Sequence, residues 1–206
     1  ARASQTAGEF FSKSAGVNLL AAARVTLFAA RDVWFVVGVP VYLYAHGWTF
    51  VAVGSFLALW TIGYGAVQAM APAFIRRSPD GLGSEVPAAR AWSLGLMAVP
   101  AILAVALGAG IAHPDIVLVG GLALFGFAFA VNSSLHSYLI LAYAGSEKVA
   151  EDVGFYYAAN AAGRFIGVAL SGALYQWGGI AAPLAASAAL LAVCWLTTLA
   201  LPRGGD

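Results

Sequence analysis

Charge is what this sequence has least of. Only 9% of its 206 residues are Asp, Glu, Lys or Arg, against roughly 25% in an average soluble domain. So few charges cannot cover a water-facing surface, which excludes a soluble globular fold. A net charge of +1 gives nucleic acid nothing to bind, so no such partner is expected. One cysteine, Cys194, excludes an internal disulfide and a zinc cluster. His46, His113 and His136 fall on different levels without ligand spacing, so no metal is expected. The connector 78–85 is turn-rich and lacks a P-loop lysine, and no cofactor is expected. What is abundant is apolar: 62% of residues are hydrophobic and the mean hydropathy is +0.86. That excludes disorder and leaves an all-α, polytopic membrane protein.

A spanning helix needs about 20 mostly apolar residues. Six stretches qualify, near 20–44, 49–72, 91–111, 116–142, 153–176 and 180–201. They are long and do not alternate, which excludes barrel strands. Gly47, His113-Pro114-Asp115, Gly178-Gly179 and Pro202 punctuate them. Residues 1–16 read as a linker or interfacial segment, 17–202 as the bundle and 203–206 as a tail. Arg2, Lys13, Arg76, Arg77, Arg90, Lys148 and Arg203 fall in segments on one side, and the opposite loops carry no Lys or Arg. The positive-inside rule places both termini in the cytoplasm of a plasma (inner) membrane protein.

Three cations, Arg24, Arg31 and Arg164, then lie inside spans, with one acid, Asp32, and one histidine, His136. Charge inside a bilayer is costly and usually faces a cavity or a partner. At ~1.5 Å per residue, Arg31 lies roughly 16 Å from the start of its helix, and Arg164 and Asn132 are about as deep. His136 and Asn160 sit one turn nearer the cytoplasm. Asn132 with His136, and Asn160 with Arg164, share faces at a spacing of four. Trp60, Tyr64 and Gln68 form one stripe on the second span. Spans one, two, four and five thus read as cavity-facing, and three and six as lipid-facing.

Each residue also has a structural reading. Arg24 reads as an interfacial residue that snorkels to the headgroups. Arg31 and Asp32 are adjacent, so their side chains should diverge by ~100°. Asp32 pairs with another helix or serves in ion coupling, as does His136. Arg164 is a ligand or a packing residue, and the aromatic stripe reads first as packing. Gly163, Gly167 and Ser171 allow close helix approach, and Pro100 should kink the third span. An intramembrane serine protease finds no support. Ser133 and Ser134 lack a G-x-S-x-G frame, and the one intramembrane histidine is on the same helix.

Six spans, cytoplasmic termini, lipid-facing third and sixth helices and a basic loop after the second helix resemble half of a major facilitator superfamily transporter. The stretch Tyr64 to Arg77 is similar to a degenerate form of that superfamily's loop motif. Arg31-Asp32-Val33-Trp34-Phe35, Asn132-Ser133-Ser134-Leu135-His136 and Phe155-Tyr156-Tyr157 through Arg164, continuing to Tyr175-Gln176, resemble the C-terminal half of the ArsJ-type organoarsenical efflux permeases. The resemblance covers most of residues 17–201. It implies export of 1-arseno-3-phosphoglycerate by alternating access, a functional link to glyceraldehyde-3-phosphate dehydrogenase, and an N-terminal six-helix half lying outside this chain. It makes Arg31 and Arg164 the expected anion ligands. Asn132, Asn160 and His136 would orient the substrate, with Gln68 and Tyr64 on the cavity wall. The alternatives are another cargo, such as a drug, sugar or other organic anion, or a non-transporting six-helix subunit.

Overall fold

The structure is a computed structural model that describes residues 13–144 and 149–202. The expectations for Arg2, Lys148, Arg203 and the tail fall outside these residues. Seven α-helices form, and there is no strand among the described residues: α1 Ala15–Phe35, α2 Gly38–Ala45, α3 Phe50–Met70, α4 Glu85–Gly108, α5 Pro114–Tyr143, α6 Val149–Gly178 and α7 Ala181–Leu199. The 3₁₀ turn Ala71–Ala73 follows α3.

Five spans are long and apolar enough to cross a membrane: Ala15–Ala45, Phe50–Ala73, Glu85–Gly108, Pro114–Tyr143 and Ala181–Leu199. The other expected span, 153–176, lies within the remaining long helix and falls short of that apolarity. The remaining helix, α6, has 30 residues but carries Asn160, Arg164 and Gln176, which dilute its apolar character. Three corrections follow. The first span is broken at Val36-Val37 into α1 and α2. Pro40, in the first turn of α2, has no N–H to continue the ladder back to Val36. The backbone N–H of Gly38 instead donates to Ser171 Oγ at 3.2 Å. Helix α1 begins earlier than expected because Ser14 caps it, its Oγ accepting from Val17 N–H at 3.3 Å. Pro100 lies inside α4, as expected of the third span. Arg90, expected in a loop, lies inside α4. It closes the end of α7, donating from Nε to Thr198 O at 3.0 Å and from Nη2 to Leu199 O and Leu201 O, a favourable place for a cation.

Helix α1 is the hub, packed against α6, α7 and α5, while α4 packs on α7 and α5. In lipid, association depends on close packing rather than on expelling water. Gly163 and Gly167 press on the α1 backbone, and a Cβ on Gly167 would lie 2.7 Å from Ala29 O. One core cluster centres on Trp34, whose ring meets Phe125 at 4.9 Å and Trp60 at 5.9 Å. A second, around Leu20, Leu135, Leu139 and Tyr156, fills the end that holds the N-terminus of α1.

Only Val53 and Trp60 of α3 are buried. Helix α6 buries a single stripe, Asp152, Tyr156, Gly163, Gly167 and Ser171, and leaves Phe165 and Tyr157 exposed. Helices α4 and α7, expected to face lipid, pack on one another and leave Ile102, Val105, Val193 and Leu196 exposed.

Candidate functional site

Helix α1 carries three charged residues at a period that turns them toward α5 and α6. Asp32 is the anchor, with its carboxylate 1% exposed. Its Oδ1 accepts from Arg31 Nε at 2.6 Å, and its Oδ2 accepts from Arg164 Nε at 3.2 Å. The expectation that Arg31 and Asp32 diverge is therefore wrong. Adjacent Cα–Cβ bonds do diverge, but the long arginine stem folds back until Nε reaches the carboxylate. The partner that Asp32 finds on another helix is Arg164.

Two guanidinium groups share one carboxylate, so the group is a net cation. Each arginine engages Asp32 through Nε alone, so neither commits its terminal Nη pair to the carboxylate. That pair is the fork that grips an oxyanion in bidentate fashion. The Arg31 side chain is 12% exposed and lies over Phe28 at 4.9 Å and Phe129 at 5.4 Å. The Arg164 side chain is 60% exposed, so the fork is accessible from the open flank of α6.

Arg24 is not interfacial, which corrects the snorkelling reading. It is 3% exposed, and its Nη1 donates to Ser133 Oγ at 3.0 Å and Ser133 O at 3.1 Å. Its guanidinium lies 4.1 Å from the Phe28 ring centre and 4.8 Å from that of Tyr156.

The other expected site residues divide. Asn132 is fully buried, and its Nδ2 donates to Ser93 Oγ at 3.1 Å. It ties α5 to α4 and faces away from the arginines. His136 is fully buried, and neither ring nitrogen has a partner among the described residues. Asn160 Oδ1 also lacks one. Trp60 is a packing residue whose Nε1 donates to Leu122 O at 2.7 Å, and Tyr64 stacks on its ring at 5.9 Å. Both line an apolar groove of about 330 Å³ between α3 and α5. Gln68 is half-buried one turn beyond.

Sequence reasoning missed the hydrogen bonds that Ser133, Ser171 and Ser187 make to another helix or its flank. Ser187 Oγ donates to Ala30 O at 2.6 Å, fastening α7 to the hub. A hydroxyl in an apolar helix usually bonds its own backbone, and nothing local distinguishes the few that cross to a neighbour.

Scans of this chain against protein-family models, curated proteins and solved structures found no match.

Proposed function

We propose that this chain is an anion-transport unit of the membrane. Its fold is read as the six-helix half of a major facilitator superfamily transporter, and its cargo as a small organic oxyanion, 1-arseno-3-phosphoglycerate. The observation that carries the anion reading is the shared carboxylate. Arg31 and Arg164 meet at Asp32 through Nε, keep a net positive charge, and leave their bidentate ends to a ligand. A cation pair in a helix bundle is costly unless an anion or water answers it.

The open flanks of α3 and α6 support an alternating-access unit that closes against a second six-helix half. The resemblance of the stretches around Arg31, Asn132 and Arg164 to the ArsJ-type permeases supports the cargo. It also supports cytoplasmic termini, since Lys13, Arg76 and Arg77 then lie on the cytoplasmic side.

The test uses everted vesicles bearing the full-length protein. They receive glyceraldehyde-3-phosphate, its dehydrogenase and NAD, with either arsenate or phosphate. Arsenic should accumulate in the lumen when dehydrogenase and arsenate are both present, and Arg31→Gln or Arg164→Gln should abolish it. Accumulation that ignores the dehydrogenase would sink the cargo. Undiminished export by both variants would sink the site.

One observation favours a second reading. Both arginines are already paired, so the bridge also suits a non-transporting subunit in which Arg31, Asp32 and Arg164 only staple α1 to α6. In that case Asp32→Asn would lower stability, while oxyanions would give the wild type no thermal protection.

A further inference from the structure

The same three helices hold a second polar group, two turns from the shared carboxylate toward the start of α1. Five buried polar atoms there find no hydrogen-bond partner among the described residues: Arg24 Nε, both ring nitrogens of His136, Tyr156 Oη and Asn160 Oδ1. They come from α1, α5 and α6. Arg24 joins them, since it bonds Ser133, one turn before His136, and lies over the Tyr156 ring. Tyr156 and Asn160 are one turn apart on α6, in line with Arg164 after another turn.

Buried polar groups are ordinarily satisfied, and a buried guanidinium without an acid is costlier still. No carboxylate among the described residues answers Arg24. Asp32 is taken by Arg31 and Arg164, and Asp152 by Lys13. The orphaned groups share one chemistry. Arg24 Nε, the Tyr156 hydroxyl and one His136 nitrogen can each donate. The Asn160 amide donates as well once its end is turned by 180°.

We infer that Arg24, His136, Tyr156 and Asn160 form a second oxyanion subsite, which takes the far head of a ligand whose near head lies between Arg31 and Arg164. The inference rests on the anion reading of the Arg31 site and adds a length requirement to it. Arg24 and Arg31 are seven residues apart on one helix, about 10 Å along its axis. A phosphate or carboxylate at each end of a short chain would satisfy both cations, whereas a single free oxyanion would satisfy one. Arg24 and Tyr156 are almost fully enclosed, so the far head enters as α6 moves relative to α1 and α5.

The experiment titrates full-length protein in detergent micelles with inorganic phosphate and with alkane bisphosphonates of increasing spacer length, following heat and stoichiometry. One bisphosphonate should bind per chain. Affinity should peak where the phosphorus atoms stand about 10 Å apart, at least about tenfold tighter than phosphate. Tyr156→Phe, which keeps the ring, and Arg24→Gln should each remove most of that gain and leave phosphate binding unchanged. Tyr156→Phe keeps the test valid if Arg24→Gln does not fold. Phosphate binding without any spacer dependence overturns the subsite and spares the Arg31 site. So does a gain that survives Tyr156→Phe. If phosphate itself does not bind the wild type, the anion reading falls and the subsite falls with it.

Discussion

Two arginine sites lie on one helix, and they solve the problem of a charge in the membrane differently. At Arg31 the chain supplies its own anion, Asp32, and shares it with Arg164 across the α1–α6 seam. At Arg24 it supplies neutral partners only, the Ser133 carbonyl and hydroxyl and two aromatic faces. The first group is compensated and partly open. The second is uncompensated and closed. Cation–π contacts and neutral hydrogen bonds lower the cost of a buried guanidinium, but they do not cancel its charge. The difference separates a site where a ligand competes with a resident carboxylate from one where a ligand would supply the missing anion.

The comparison can be broken at the seam that both sites share. Gly163 lies between them on α6 and presses on the Val25 backbone. Gly163→Leu should force α1 and α6 apart and cost more than about 3 kcal/mol, seen as loss of the folded monomer on size-exclusion chromatography in detergent. Asp32→Asn leaves two arginines without their anion and should cost about 3 kcal/mol, read from thermal unfolding in micelles. Added phosphate should restore part of that stability, and a staple without ligand chemistry would show no such rescue. Ser133→Ala removes one of the two Nη1 contacts of Arg24 and should cost about 1.5 kcal/mol, with no more phosphate protection than the wild type shows. Arg164→Gln should change stability by less than about 1 kcal/mol, because the side chain is mostly exposed and water screens it. A larger loss would show that Arg164 is structural.

The smallest effect lies outside both sites and serves as a control. The Ser78 hydroxyl, with the backbone N–H groups of Gly83 and Leu82, holds the Asp80 carboxyl down to about 2. A depressed carboxyl stabilises its loop above its unfolded value, and that contribution fades as pH falls through the folded value. Proteolysis of the 78–84 loop should therefore increase only as pH drops from about 4 toward 2. In Asp80→Asn that pH dependence should vanish, while oxyanion binding stays unchanged.

Much of the architecture was legible because the bilayer imposes one rule per segment. Length and apolarity marked all six segments as helical, but the capping residues Ser14 and Thr49 went unread, so α1 starts earlier than expected. The sixth segment also became a helix, but its polar stripe kept it short of the apolarity expected of a span. The break at Val36-Val37 was harder to see, because Pro40 acts on the residues before it and Ser171, far along the chain, completes the broken backbone. That Arg31 and Arg164 lie at one level was legible, since rise per residue measures it. Direction was not. Asn132 shares a face with His136, yet it turns to Ser93 on α4.

The sequence by itself determined that this chain has helices long and apolar enough to cross a membrane, and that Arg24, Arg31, Asp32 and Arg164 would be rare charges in the middle of its helices. Composition and helical rise are local properties and require no knowledge of neighbours. Only the tertiary structure decided that one carboxylate would serve two of those arginines and none would serve the third. Pairing depends on which helix faces meet. Here the meeting was set by the small stripe of Gly163, Gly167 and Ser171, which lets α6 lie against α1 closely enough for Arg164 to reach Asp32.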